Sequence, residues 1–233
     1  MSEEMTEEEQ LEAMKRWWKE NGKWVVATVV IAVGGYFGWG AYQDQQQAKA
    51  AAGSALYTEL LDTLGVQEGE SLADENRSEA RELVEQLKNE HAGTGYGVNA
   101  ALIRARWAVS ESDLDTAESE LRWVLEQEPG SAVEQVATLR LARVLSAAGN
   151  SGEALTLLNG ANPGESMASE YAEVRGDILL KQGDADAARS AYQSAMDGLG
   201  SQQQNRQMLL QMKLDDIQQA GTGNTTGSEE NAS

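Results

Sequence analysis

Cysteine is absent from the 233-residue chain. No disulfide framework, thiolate-bound zinc, iron–sulfur cluster or thiol nucleophile can therefore be built from it. The single histidine, His91, rules out a His-pair metal site and leaves little with which to assemble a serine–histidine triad. Proline occurs only twice and β-branched residues are few, while Ala, Leu, Glu and Gln abound; this balance predicts an all-α chain. Cations are scarce as well, with 18 Lys and Arg against 38 Asp and Glu and a net charge of −20. Phosphate contacts need clustered Lys and Arg, so the composition argues against a nucleic-acid partner. The acidity itself implies a soluble, self-repelling surface and says nothing of fold.

One stretch departs from this composition. From Trp24 to Gln43 (WVVATVVIAVGGYFGWGAYQ) no charged residue occurs. Roughly 20 helical residues reach about 30 Å, the hydrocarbon thickness of a bilayer. Gly34, Gly35, Gly38, Gly40 and Thr28 dilute the run, but its flanks are rich in aromatics. Trp17, Trp18, Trp24, Tyr36, Phe37, Trp39 and Tyr42 are seven of the chain's 13, and such rings favour the headgroup boundary. These features predict a single transmembrane helix over 24–43, in contact with the lipid bilayer. Lys15, Arg16, Lys19 and Lys23 precede the span, and only Lys49 follows closely. The positive-inside rule then assigns residues 1–23, an acidic leader with a basic juxtamembrane end, to the cytoplasm and the rest of the chain to the far side. Two other readings fit the run less well. A cleaved secretory signal would be shorter and would start earlier. A buried helix of a soluble core would normally carry a polar stripe. Gly34 and Gly38 lie four residues apart and leave one helix face low enough for another helix to approach closely.

Residues 44–220 read as helices with short polar breaks, and an internal repeat emerges near their end. Gly176, Gly183, Ala188, Tyr192 and Ala195 form one ladder. Ala142, Gly149, Ala154, Leu158 and Ala161 form a second, and Ala105, Ser112, Ala117, Leu121 and Val124 a weaker third, closed by Pro129. From Ala117 to Ala154 to Ala188 the steps are 37 and 34 residues, close to the tetratricopeptide period of about 34. Small residues at helix crossings allow antiparallel helices to approach to about 8–10 Å. Gly149 and Gly183 sit where a helix C-terminus needs a left-handed residue. Asp113, Asn150 and Asp184 are placed to start the second helices. Upstream, residues 46–64 and 71–90 are each helical in pattern and form a degenerate first pair, with Ala80, Val84 and Leu87 on one face. Residues 200–219 predict a capping helix with Met208, Leu209, Met212 and Ile217 on its apolar side, as the open end of a solenoid requires. The leader before about Leu11 and the tail 221–233 are too polar to bury and are expected to be disordered.

No catalytic constellation stands out. Asp215 with Asp216 and Asp184 with Asp186 are helix-surface or capping acids, since neighbours one or two apart do not face each other. His91, with no second His or Cys, suits a helix C-terminus better than a metal. Gly93, Gly95 and Gly97 have no preceding strand and no following Lys-Ser/Thr, so they read as a turn rather than a phosphate loop. Asn76, Asn224 and Asn231 begin Asn-x-Ser/Thr triplets, which matter only in a glycosylating compartment. A non-enzymatic binding surface without cofactor or metal remains. Aligning the repeats places Asn99, Leu102, Arg106, Val109, Leu139, Arg143, Glu173 and Asp177 on the concave face. Arg106 and Arg143 are equivalent positions. Their guanidiniums suit a partner carboxylate or carbonyl, or an internal salt bridge to a neighbouring Glu.

The order of parts carries a resemblance. A Lys-Arg-Trp-Trp-Lys-Glu-Asn-Gly-Lys run at 15–23 precedes a span containing Gly34-Gly-Tyr-Phe-Gly-Trp39. Hairpins follow, with Tyr96–Trp107, Leu139-Arg-Leu-Ala-Arg143 and Met208-Leu-Leu-Gln-Met-Lys-Leu214. Over about residues 10–217 the chain resembles the YfgM family, ancillary subunits of the bacterial SecYEG translocon. The resemblance implies a single-pass inner-membrane protein with a periplasmic tetratricopeptide-like domain. It implies partnership with SecYEG and a PpiD-like periplasmic chaperone, to which translocated, still unfolded proteins are passed. It brings no catalytic motif. The acidity and the Ser/Gly/Asn tail depart from the family. An anchor for another envelope assembly, without clients of its own, would use the same parts.

Overall fold

The computed structural model describes residues 7–65, 74–200 and 203–226. Nine helices and no strand occur among the described residues: α1 (Glu7–Thr63), α2 (Asp74–Glu90), α3 (Gly95–Ser110), α4 (Leu114–Glu126), α5 (Ser131–Ala147), α6 (Ser151–Gly160), α7 (Glu165–Lys181), α8 (Ala185–Asp197) and α9 (Gln204–Thr226). The chain divides into two compact units, the first ending at Ala55 and the second beginning at Leu56.

The first unit is the N-terminal stretch of α1. Its 18-residue apolar window has a mean hydropathy of 1.6, and none of that window is buried inside the protein. Val30, Ile31, Tyr36, Phe37 and Trp39 are all exposed, so the run is not the core helix of a soluble domain. The Thr28 hydroxyl donates to the Trp24 carbonyl at 2.9 Å, which satisfies a polar group within the span by its own helix. Helix α1 begins at Glu7, before the Leu11 boundary expected for the leader; residues 1–6 lie outside the described residues. No proline interrupts the chain between there and Thr63, so a nucleated helix propagates through four scattered span glycines and through the separate helix expected at 46–64.

The second unit is a series of antiparallel hairpins. The last turns of α1 join α2 and α3 in one apolar cluster through Leu60, Ala80, Val84, Leu87, Ala100 and Trp107, so both expected upstream helices contribute to one cluster, in which α2 packs chiefly on α3. Hairpins α3–α4, α5–α6 and α7–α8 follow, with α9 against α8. The alanine ladder lies at their crossings: Ala105, Ala117, Ala142, Ala154, Ala188 and Ala195 are at most 2% exposed. Gly176 does the same for α7. A Cβ there would lie 2.5 Å from Cε1 of the buried Tyr192 ring. Helix α6 is shorter than α4 and α8: the chain turns extended at Ala161, two residues before Pro163, and a proline cannot continue a helix.

The three hairpin turns share one closure. The amide of Asp113 donates to the Ala108 carbonyl, Asn150 to Leu145 and Asp184 to Leu179, at 2.9, 2.8 and 3.0 Å. The residue before each is left-handed: Ser112 (φ 63°), Gly149 (φ 93°) and Gly183 (φ 86°). This is the Schellman arrangement, which favours glycine and only tolerates serine. Asp113 and Asp184 then cap α4 and α8, accepting from the amides of Thr116 and Ala187 at 3.1 and 3.0 Å. Asn150 occupies the same position before α6 but makes no side-chain cap bond; its ψ is 46°, against 76° and 78° at the two aspartates.

Helix α9 turns inward a face that shares only Ile217 with the one expected. Leu210, Leu214 and Ile217 are buried, while Met208, Leu209 and Met212 are exposed. Both sets have helical spacing, so periodicity alone could not choose between them. The helix also continues to Thr226, past the expected boundary at 220, since extension is cheap once a helix is docked. Residues 227–233 of the expected tail lie outside the described residues.

Candidate partner-binding groove

The concave positions expected from the repeat alignment separate into three environments. Glu173 and Asp177 on α7 are already engaged by α9. Arg206 donates to Glu173 at 2.7 Å and also pairs with Glu170. Lys213 bridges Glu173 at 2.9 Å and Asp177 at 2.6 Å. Asp177 further accepts the Tyr192 hydroxyl at 2.7 Å. Burial, reinforced by this carboxylate, pushes the Tyr192 phenol well above its ordinary range. The network joins α7, α8 and α9, and it buries Glu173 to 8% exposure. The sequence held a signal for it: acids at 170, 173 and 177 share one face of α7, and cations at 206 and 213 share one face of α9.

Leu139 and Leu102 belong to the core rather than to a surface. Leu139 is 5% exposed, and Leu102 packs half-buried against the same cluster. Helix α5 is flanked by α4, α6 and α7, so most of its circumference is covered. Asn99 is exposed near the start of α3.

Arg106, Val109 and Arg143 come together. With Arg140 they border a groove of about 410 Å³ between α3 and α5, lined also by Ala105, Leu114, Leu121, Val144 and Ala147. Its volume falls within the usual range for ligand clefts, about 300–1,000 Å³. Ala105 and Val109 come from α3, Leu114 and Leu121 from α4, and Val144 and Ala147 from α5, so the lining is apolar. The arginines stand on the two walls, Arg106 on α3 and Arg140 and Arg143 on α5. Arg140 was missed by the repeat alignment; its place three residues before Arg143 on one helix was the available sign. No carboxylate among the described residues pairs with Arg106, Arg140 or Arg143. Burial first, and then the Arg143 charge, lower the Arg206 pKa. The internal salt bridge considered for Arg106 and Arg143 does not form among the described residues.

Elsewhere in the hairpin domain most cations are matched, while Arg175 and Lys181 donate to the Leu158 and Ser146 carbonyls. Arg77, Arg81 and Arg104 converge on Glu111 at 3.6, 3.8 and 3.9 Å, with Arg81 and Arg104 also over the Trp107 ring at 5.4 and 4.8 Å. Lys88 pairs with buried Glu120 at 2.9 Å, tying α2 to α4. His91 is 5% exposed at the end of α2, and its carbonyl accepts from Thr94. A Cβ at Gly97 would meet that carbonyl oxygen at 2.7 Å, so the glycine turn serves a close helix contact. Among the described residues no three His, Asp or Glu side chains gather as a metal site. Gly34 and Gly38 meet no other atom within 4 Å of where a Cβ would stand and share one open face of α1.

Comparison with known proteins adds the following. A family model described as a tetratricopeptide repeat-like domain matches residues 15–219. The ancillary SecYEG translocon subunit of Haemophilus influenzae is 33% identical over 217 residues, 93% of this chain and all of the relative. That of Aggregatibacter actinomycetemcomitans is 32% identical, covering 91% of this chain and 97% of its own. That of Escherichia coli is 30% identical, covering 82% and 87%.

Proposed function

The chain belongs to the YfgM family of ancillary SecYEG translocon subunits, and from that membership we propose that it acts beside SecYEG as a non-enzymatic scaffold of the bacterial inner membrane. The observation that carries this reading is the full-length match to the Haemophilus influenzae subunit, which includes the span and the hairpins together. Lys15, Arg16, Lys19 and Lys23 precede the span and hold the N-terminus in the cytoplasm, so the hairpin domain stands in the periplasm. The span docks laterally through the open face bearing Gly34 and Gly38, where helix backbones can approach without side-chain obstruction. The hairpin domain engages a PpiD-like membrane-anchored chaperone and so links translocated, still unfolded proteins to periplasmic folding.

A mild-detergent pull-down of the tagged full-length protein, read by mass spectrometry, tests this. The control carries an unrelated apolar helix in place of residues 24–43. SecY and a periplasmic chaperone should come with the native protein, and SecY should be lost from the control. Recovery of a cell-division or outer-membrane assembly complex in their place would refute the translocon role and favour an envelope anchor without clients.

A further inference from the structure

Three guanidiniums without a carboxylate are anomalous in a chain with 38 acidic residues. Arg77, Arg81, Arg104, Arg122, Arg189 and Arg206 each have an acidic partner; Arg175 has none among the described residues and donates instead to the Leu158 carbonyl, away from the groove. Arg106, Arg140 and Arg143 are exposed, have no such partner among the described residues, and border the same apolar groove. On the reading of the hairpin domain as a partner-binding domain, we infer that this groove takes an acidic amphipathic segment of another protein, with apolar side chains on the α4 floor and carboxylates on the two arginine walls.

Charge complementarity selects the occupant. A basic or neutral apolar segment would leave three like charges facing one another across the cleft, whereas a segment with two or more Glu or Asp supplies what the walls lack. The apolar lining selects it further. A purely acidic chain would leave Leu114, Val109 and Val144 in contact with water, so the segment must also carry Leu-, Ile- or Phe-type side chains. The chain's own tail does not qualify: residues 221–233 include acids at 229 and 230 but no apolar side chain larger than alanine. The rest of the surface, strongly negative, repels acidic segments and so directs them to this one cleft.

The probe is a set of fluorescein-labelled 12-residue peptides of randomised order containing Glu, Leu, Gly and Ser, with a matched set in which Gln replaces Glu. Binding to the purified full-length chain in detergent, without SecYEG, is read by fluorescence anisotropy, so the result stands apart from translocon docking. The Glu set should contain binders and the Gln set should bind far more weakly, with the difference shrinking as salt rises. Arg106→Gln, Arg140→Gln and Arg143→Gln should each weaken the best binders about fivefold, and the triple variant should erase the preference for Glu over Gln. Ala147→Phe, which intrudes on the groove from an exposed position on the α5 wall, should abolish binding without lowering Tm. Equal binding of the two sets, or an undiminished Glu preference in the triple variant, would overturn the assignment. A gain in peptide affinity on removing residues 227–233 would also overturn it, since the groove would then belong to the chain's own tail.

Discussion

Gly176→Ala tests how closely α7 and α8 must approach. The added methyl would lie 2.5 Å from Cε1 and 2.6 Å from Cδ1 of Tyr192, about 1 Å inside van der Waals contact. The ring cannot withdraw freely. It is 1% exposed, its hydroxyl is held by Asp177 at 2.7 Å, and Lys213 lies 5.3 Å over its centroid. Alanine contributes up to about 1 kcal/mol of helix propensity over glycine. Against that, overpacking a fixed core costs about 1–3 kcal/mol. Swinging the ring aside forfeits a charge-assisted hydrogen bond, a further loss of about 1.5–3 kcal/mol. The expected net loss is about 2–4 kcal/mol, or a fall in Tm of roughly 5–15 °C for a domain of this size. Thermal unfolding by circular dichroism, with urea titration for the free energy, measures it. Gly152→Ala, at a helical site with nothing within 4 Å, is the control and should be neutral or slightly stabilising. A smaller side chain at 192, as in Tyr192→Leu, should remove most of the penalty of the alanine in a double-mutant cycle. If Gly176→Ala matched Gly152→Ala, the close approach of α7 and α8 around Tyr192 would be refuted.

Other substitutions probe the remaining features. Ser112→Gly relieves a left-handed serine and should stabilise the protein by about 0.5–1 kcal/mol in urea unfolding; a loss would show that Ser112 is not held at positive φ. Lys88→Met leaves the buried Glu120 carboxylate without its cation and should cost about 3–5 kcal/mol, most of it regained in Lys88→Met with Glu120→Leu. Failure of the second change to rescue would place the damage elsewhere. Hydrogen bonds from Thr116 lower the Asp113 pKa below its ordinary 3.8, so its contribution is present above that value and is lost as pH falls through the lowered one. Tm curves of Asp113→Asn and the native chain should therefore converge in acid, where a parallel offset at every pH would contradict the shift.

The repeat ladder was legible because a tetratricopeptide hairpin needs small residues at fixed crossings. Ala117, Ala154 and Ala188 announced their own spacing, and all three are buried as that spacing required. The turns were legible for the same kind of reason, down to Ser112 standing in for glycine. Helix α9 was not. Two apolar triplets at helical spacing compete there, and what decides between them is a pairing of Arg206 and Lys213 with acids more than 30 residues away in sequence, as the Arg206–Glu173 and Lys213–Asp177 bonds show. That same pairing removed Glu173 and Asp177 from the open face. The groove was half visible. Repeat equivalence marked Arg106 and Arg143, but the cleft between α3 and α5 depends on how far those helices splay, and a single sequence carries no record of that angle.

The apolar clusters of the hairpin domain sit one after another along the chain: one around Leu60 and Leu87, one spanning α3 to α7, and one around Tyr192 and Leu210. Erosion in such a series begins at an end and stops at a cluster boundary. The terminal cluster can therefore open and reclose while the middle one, which supplies the floor of the arginine groove, keeps its shape. Of the two ends, the one closed by α9 leans on Arg206 and Lys213 as well as on apolar contact, so salt acts there as a solvent for the clasp. Local amide exchange in α9 should quicken with ionic strength while that of α4 and α5 stays slow, and the protein would then loosen from one end in graded steps without losing its grip in the middle.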